Sequence, residues 1–179
     1  MGKMKIVAFG NQVLRQPAKP VTVFHKKLHS LIDSIAETLY NCENGVALAA
    51  NQVNILKRIT VINYQNEYIE MINPQIINSK GEQIDQEGCL SFPGYYGLVK
   101  RFDLIEVKYM DRYGKENIIE RKGKLSRCIQ HEVDHLNGIL FIDRMEDDFL
   151  THTGTENKIS RNSVLELANK KNKITIKKF

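Results

Sequence analysis

Leu28, Leu31, Ile32, Ile35 and Leu39 recur at intervals of three and four residues, the period that lines one face of an α-helix. The pattern predicts a helix over about residues 23–43, with Thr22 as its N-cap and Gly45 as its stop. Further along, the period shortens. Residues 59–63, 68–72, 104–110 and 117–121 read as strands, the last two joined by a turn at Asp111-Arg112-Tyr113-Gly114. Residues 81–97 carry neither period and read as irregular. A second helix opens between Gly123 and Ser126 and runs to Asn137, where Gly138 stops it. A short helix around residues 161–170 and a strand at 174–176 complete the list. Strands clustered ahead of the second helix, rather than alternating with helices, predict an α+β fold.

Composition adds bounds. With 179 residues, 42% hydrophobic and 26% charged, the chain reads as one ordinary globular domain. A chain of this size buries roughly 70% of its unfolded surface, so it needs no metal or disulfide merely to fold. The longest apolar runs are four or five residues, against the roughly 20 of a membrane span. There is no signal-peptide core behind Lys3 and Lys5, and the expected location is the cytoplasm. Cys42, Cys89 and Cys128 are an odd count without close spacing, which argues against a disulfide framework. The net charge of +5 is local: residues 158–179 hold seven of the 26 basic side chains and one of the 21 acidic ones. The reading is therefore a near-neutral catalytic body, residues 1–157, and a basic C-terminal tail, residues 158–179, with no DNA-binding surface.

Chemistry concentrates in the second helix. His131-Glu132-Val133-Asp134-His135 reads H-E-x-x-H, which places two imidazoles four residues apart on one helical face with Glu132 beside them. Two histidines do not make a catalytic metal site. A third protein ligand is required, with the fourth position left for water. Downstream, His152, Glu146, Glu156 and Glu166 are available, although none stands at the spacing of extended H-E-x-x-H motifs. Upstream, Cys89 offers a thiolate within Glu87-Gly88-Cys89-Leu90-Ser91. Glu87 and Asp134 read equally as solvated charges or as acceptors that orient a ligand imidazole. His25 and His29, also four apart, have Lys26 where the glutamate would stand and read as a polar helix face.

Three separated segments together resemble the peptide deformylases, which remove the N-formyl group from new bacterial or organellar proteins. They are Gly45-Val46-Ala47-Leu48-Ala49-Ala50-Asn51-Gln52, Glu87-Gly88-Cys89-Leu90-Ser91 and Gln130-His131-Glu132-Val133-Asp134-His135. The resemblance spans about residues 5–145. It implies antiparallel strands packed around a central helix carrying H-E-x-x-H, and one divalent ion held by Cys89, His131 and His135. The ion would be Fe(II) in the cell, while the donor set also accepts zinc, nickel or cobalt. Glu132 would move the proton, and Gln52 and the backbone N–H of Leu90 would stabilise the oxyanion. Val46, Ala47, Gly88, Arg127 and Cys128 would contact the substrate. The implied partners are nascent formylated peptides met by a monomer, with the basic tail free to dock on the ribosome.

The chain departs from the family pattern at Ala47, where a second glycine is usual, and in the first-residue pocket. Arg127 and Cys128 precede His131 by four and three positions and share its face, with Lys124 a turn further back. Apolar residues usually stand there. Arg127 should therefore pair with Asp85, turn its head to solvent, or select a polar first residue. An H-E-x-x-H protease and a non-catalytic binding relative are the competing classes. The missing downstream ligand disfavours the first, and the intact ligand set the second.

Overall fold

The computed structural model describes residues 2–172, with side chains through residue 166. Helix α1 spans Lys26–Tyr40. It starts three residues later than its hydrophobic pattern suggests because His25, not Thr22, caps it: the imidazole Nδ1 accepts the Leu28 N–H at 3.2 Å. It also ends before Gly45, the chain turning through Asn41 and then Asn44, which has φ +60°. Its apolar stripe meets Leu48, Ile59, Val61 and Ile72 in the first of the core clusters.

The strands are β1 (Ala47–Ala49), β2 (Ile59–Tyr64), β3 (Glu67–Lys80), β4 (Gln83–Cys89), β5 (Phe92–Arg101), β6 (Leu104–Met110), β7 (Glu116–Lys122), β8 (Phe149–His152) and β9 (Lys158–Ser160). They form two sheets, a five-stranded one ordered β1-β2-β3-β6-β7 and a four-stranded one ordered β4-β5-β8-β9. All the ladders are antiparallel, as the α+β reading requires. Helix α2 (Gly123–Leu136) touches both sheets. Leu125, Ile129 and Val133 pack with Ile62, Met71, Ile105 and Val107 of the larger sheet. Its polar residues face β4 and β5.

Residues 81–97 are not irregular. Most of them belong to the β4–β5 hairpin, which glycines and a proline disguised in the sequence. Gly97 sits in the strand because Met145 crosses it so closely that an added Cβ would lie 2.6 Å from the methionine methyl. Pro93, Gly94 and Tyr95 form an excursion. The register passes from Gly88↔Tyr96 to Cys89↔Phe92, so one step on β4 answers four on β5.

Nor does a structural boundary fall at residue 157. Lys158, Ile159 and Ser160 pair with β8, and Val164 and Leu165 of α3 (Arg161–Asn172) are buried with Leu140, Phe141 and Leu150. The charge pattern alone could not register these apolar anchors. The strand expected at residues 174–176 lies outside the described residues.

The N-terminal segment braces the site. Val7 N–H donates to the Gln52 carbonyl at 2.8 Å and Phe9 N–H to the Ser91 carbonyl at 2.6 Å. Arg15 forms an ion pair with Asp143, 128 positions away. Helix α2 ends in a Schellman arrangement, with Gly138 N–H on the His135 carbonyl and Ile139 N–H on that of Asp134. Gly138 has φ +72°, and a Cβ there would lie 2.5 Å from the Arg15 carbonyl oxygen, so only glycine fits.

Candidate active site

Helical periodicity brings His131 and His135 onto one face of α2, and the end of β4 presents Cys89 to them. Cys89 Sγ lies 3.2 Å from His135 Nε2, which lies 3.2 Å from His131 Nε2. No other group of three or more such donors converges in this way among the described residues. Four-coordinate zinc with nitrogen bonds of about 2.0–2.1 Å and a sulfur bond of about 2.3 Å has donor–donor edges of roughly 3.3–3.6 Å. The observed spacings match within a few tenths of an ångström. Cys89, and not a downstream acid or His152, is the residue that converges with the two imidazoles.

Burial alone would lower the His131 imidazole, but its bonds to Cys89 and Glu87 raise it well above its ordinary value. Its Nδ1 lies 3.0 Å from Glu87 Oε2, which keeps one proton there and leaves Nε2 as the nitrogen that a bound ion would deprotonate. Burial, reinforced by His131 and Arg101, pushes the His135 imidazole well below its ordinary value, favouring the neutral ligand form. His135 Nδ1 is buried without a hydrogen-bond partner among the described residues. Three donors converging on one point suit a single divalent cation.

Glu87 is itself fixed by two arginines. Arg101 makes a two-pronged contact, Nε to Oε1 at 2.8 Å and Nη2 to Oε2 at 2.9 Å, and Arg127 Nη1 adds a third bond at 2.8 Å. Burial alone would raise this carboxyl, but the bonds from Arg101 and His131 hold it well below the usual carboxylate range. Asp134 does not orient an imidazole. It pairs with Arg101 and Arg144 and so steadies Glu87 from behind. Arg101 belongs to no motif. Only its strand position between two acids in space gives it a role, which sequence order hides.

Glu132 is fully enclosed, with Thr60 Oγ1 3.5 Å from Oε2. Burial pushes its carboxyl up to about 7, so near neutral pH it exchanges a proton readily. Gln52 is buried on a 3₁₀ turn (Ala50–Val53), not exposed. Its Oε1 accepts the Ala49 N–H at 2.9 Å, which turns Nε2 toward Ser91 Oγ at 3.3 Å and Cys89 Sγ at 3.5 Å. Asn51, beside it, donates to the His135 carbonyl at 2.5 Å and ties this turn to the ligand helix.

Cys89, His131, Glu132, Glu87 and Gln52 face a cleft of about 680 Å³, within the usual range for ligand sites. Val46 stands exposed at its mouth, while Ala47 is buried in β1. Gly88, Leu90 and Cys128 line it, as do Lys124 and Asp85. Burial raises the Cys128 thiol well above its ordinary value, so it serves as a small apolar surface. Arg127 also borders the cleft, yet its guanidinium is held by Glu87, the Val99 carbonyl at 2.8 Å and the Gln83 carbonyl at 3.2 Å. The Asp85 side chain is not its partner. The Asp85 contribution is a backbone carbonyl at 3.4 Å. His25 and His29 serve α1, His29 Nε2 meeting the Arg112 carbonyl at 2.8 Å.

An α+β fold with two imidazoles, a strand-borne cysteine and a buried glutamate carries the donor set of a metal-binding hydrolase of the H-E-x-x-H kind with the cysteine upstream. Comparison with known proteins narrows this. The family model for polypeptide deformylase matches residues 3–149. Peptide deformylases from Halothermothrix orenii and Thermoanaerobacter pseudethanolicus are 50% and 48% identical to the chain. The first aligns over 81% of this chain and 95% of its own length, the second over 75% and 84%. The crystal structure of peptide deformylase from Thermotoga maritima superposes with a TM-score of 0.80 at 40% identity, covering 82% of this chain and all of the other. That of a Synechococcus elongatus peptide deformylase in complex with actinonin gives 0.80 at 37%, covering 98% and 89%. The chain belongs to the polypeptide deformylase family, metal-dependent enzymes that remove N-terminal formyl groups. Among the described residues, no helix is long and apolar enough to cross a membrane.

Proposed function

We propose that the chain hydrolyses the N-formyl group of nascent peptides that begin with formylmethionine, using Cys89, His131 and His135 as the ligands of one ferrous ion. The observation that carries this reading is the convergence of the three donors at a cleft that Cys89 and His131 line together with the buried Glu132. When bound, the ion polarises the formyl carbonyl and lowers the pKa of water toward neutrality. Glu132 takes a proton from the attacking water and passes it to the departing amide nitrogen. A carbon–oxygen bond forms, the carbon–nitrogen bond breaks, and formate and a free amine leave. Gln52 Nε2 and the Leu90 N–H stand on the Cys89 side of the cleft, where they stabilise the oxyanion. Gly88, Val46 and Ala47 line the path of the peptide. With its guanidinium engaged by Glu87, Arg127 leaves the first-residue pocket to its own stem and Cys128, a surface that suits methionine.

The enzyme acts as a cytoplasmic monomer in this reading, and the lysines of residues 170–178 bring it to ribosomal RNA through counterion release. Replacing Lys170, Lys171, Lys173, Lys177 and Lys178 with glutamine should abolish ribosome co-sedimentation at low salt. The enzymatic reading is tested by formate release from a formyl-Met peptide, with protein loaded anaerobically with Fe(II), then with zinc, nickel or cobalt. Release with none of these ions, or cleavage of unformylated casein instead, would refute it.

A further inference from the structure

Strand β2 opens with Ile59-Thr60-Val61-Ile62, four fully buried residues of which Thr60 alone carries a polar side chain. Alternation along the strand sends Ile59 and Val61 to the α1 side and Thr60 with Ile62 to the α2 side. On that side the neighbours of Thr60 across the two ladders are Ala49 and Met71, both buried and apolar, and Ile62 packs with Leu125, Ile129 and Val133 of α2. An aliphatic residue of the same shape would suit such a face, because a buried hydroxyl costs stability unless it finds an acceptor. Thr60 finds two. Its Oγ1 lies 3.3 Å from the Leu48 carbonyl oxygen and 3.5 Å from Glu132 Oε2, long distances that fit one proton divided between two acceptors.

The Glu132 carboxylate has no second hydrogen bond from the described residues. Glu87 is held by three arginine bonds and an imidazole, whereas Glu132 hangs on its side-chain torsions with Thr60 as its one tether. A donor on Oε2 restricts those torsions and leaves Oε1 free for the water that it must meet. We propose that Thr60 is a positioning residue for the reaction: its hydroxyl holds Glu132 Oε2 against β2 and so sets the carboxylate at the cleft in the orientation that proton transfer needs. This rests on the deformylase reading above and adds to it a residue outside the three motifs that carry that reading. A misplacement of about 1 Å at a reacting group costs up to about 10²-fold in rate, so one hydroxyl behind the carboxylate has leverage on kcat without touching substrate.

The test compares two pairs of proteins that differ by the hydroxyl: the parent with Thr60→Val, of equal shape, and Thr60→Ser with Thr60→Ala, of nearly equal size. Each is loaded with the same ion, and ion content is measured beside kcat and KM for a formyl-Met peptide. Removing the hydroxyl in either pair should leave ion content and KM unchanged while kcat falls roughly tenfold, the lower end of what a hydrogen bond to a charged group contributes. In the apo protein, the infrared band of the Glu132 carboxyl group, identified by its loss in Glu132→Gln, should shift in Thr60→Val and Thr60→Ala and keep its place in Thr60→Ser. Equal kcat within both pairs, a fall in kcat that merely follows loss of the ion, or a band that stays put without the hydroxyl overturns the assignment. Should Thr60→Val fail to fold, the serine and alanine pair decides. No formate from the parent with any of the ions overturns the deformylase reading instead, and the infrared comparison then still tests the contact between Thr60 and Glu132.

Discussion

His131 and Glu87 are joined by one hydrogen bond of 3.0 Å, and through it an imidazole of the metal site is tied to two buried arginines, Arg101 and Arg127. Glu87→Gln keeps an oxygen to accept from Nδ1 but removes the charge that both guanidinium groups were paired with. Metal affinity should drop about 10–100-fold. Folding stability should fall by about 3–5 kcal/mol, the usual cost of breaking a buried ion pair. Ion retention on dialysis and urea unfolding of the apo protein measure the two effects separately.

Glu132 faces the same cleft without being one of the three converging donors. Glu132→Gln should bind the ion normally and lose at least about 10²–10⁴ in kcat, the range for a general acid/base. Cys89→Ala and His135→Ala should lose the ion. Metal analysis alongside a formate assay checks all three, and appreciable turnover by Glu132→Gln would count against the assigned role.

Gln52 has two ends with different duties. Gln52→Glu retains an acceptor for the Ala49 N–H and loses the donor aimed at the cleft, whereas Gln52→Ala loses both. Both should cost about 10²–10³ in kcat. Both should also lower the unfolding midpoint, the alanine variant by an amount equivalent to about 1–3 kcal/mol because it strands a buried N–H, and the glutamate variant because it buries a carboxylate without a cationic partner.

For Arg127, the effect should fall on stability and not on selectivity. Arg127→Ile removes one of the partners of buried Glu87 and should destabilise the protein by about 3–5 kcal/mol. The ranking of formyl-Met, formyl-Nle, formyl-Gln and formyl-Glu peptides should keep methionine first before and after the change. A parent that favours formyl-Glu would show that the guanidinium reaches substrate after all.

Ending the chain after Asn157 would remove more than charge. Val164 and Leu165 are buried in the core with Leu140 and Phe141. Burial of a large aliphatic side chain contributes about 1.5–3 kcal/mol, so their joint loss should cost about 3–6 kcal/mol. Thermal unfolding would read this directly, and for that reason charge reversal or neutralisation is the cleaner probe of ribosome contact.

What the sequence revealed and what it hid divide along physical lines. Periodicity located α1, α2, β6 and β7, because each turns one face toward the protein and the other toward solvent, and the apolar run of β2 records a strand buried on both faces. The three candidate donors were legible because ligation restricts residue type and, for the two histidines, helical spacing. The β4–β5 hairpin was not legible, since Gly88, Gly94, Gly97 and Pro93 are there for close approach and a bulge and read as loop. Arg101, Arg144 and the burial of Gln52 were hidden for a different reason. Their meaning lies in partners 14, 10 or 37 positions away along the chain, and no local pattern encodes such pairings.

The ion pair between Arg15 and Asp143 sets a clock on the protein's own synthesis. At about 5–20 residues per second, the 128 positions between them take roughly 6–25 s to be made. During that interval the segment holding Val7, Phe9 and Arg15 waits for Asp143, and the α2 helix it will cap at Gly138 does not yet exist. Contacts so distant in sequence close late and fold slowly. A ribosome making this chain therefore carries, for most of each round, a molecule whose N-terminal segment is made but whose brace and candidate metal site are not, so neither closes until the residues near Asp143 have emerged.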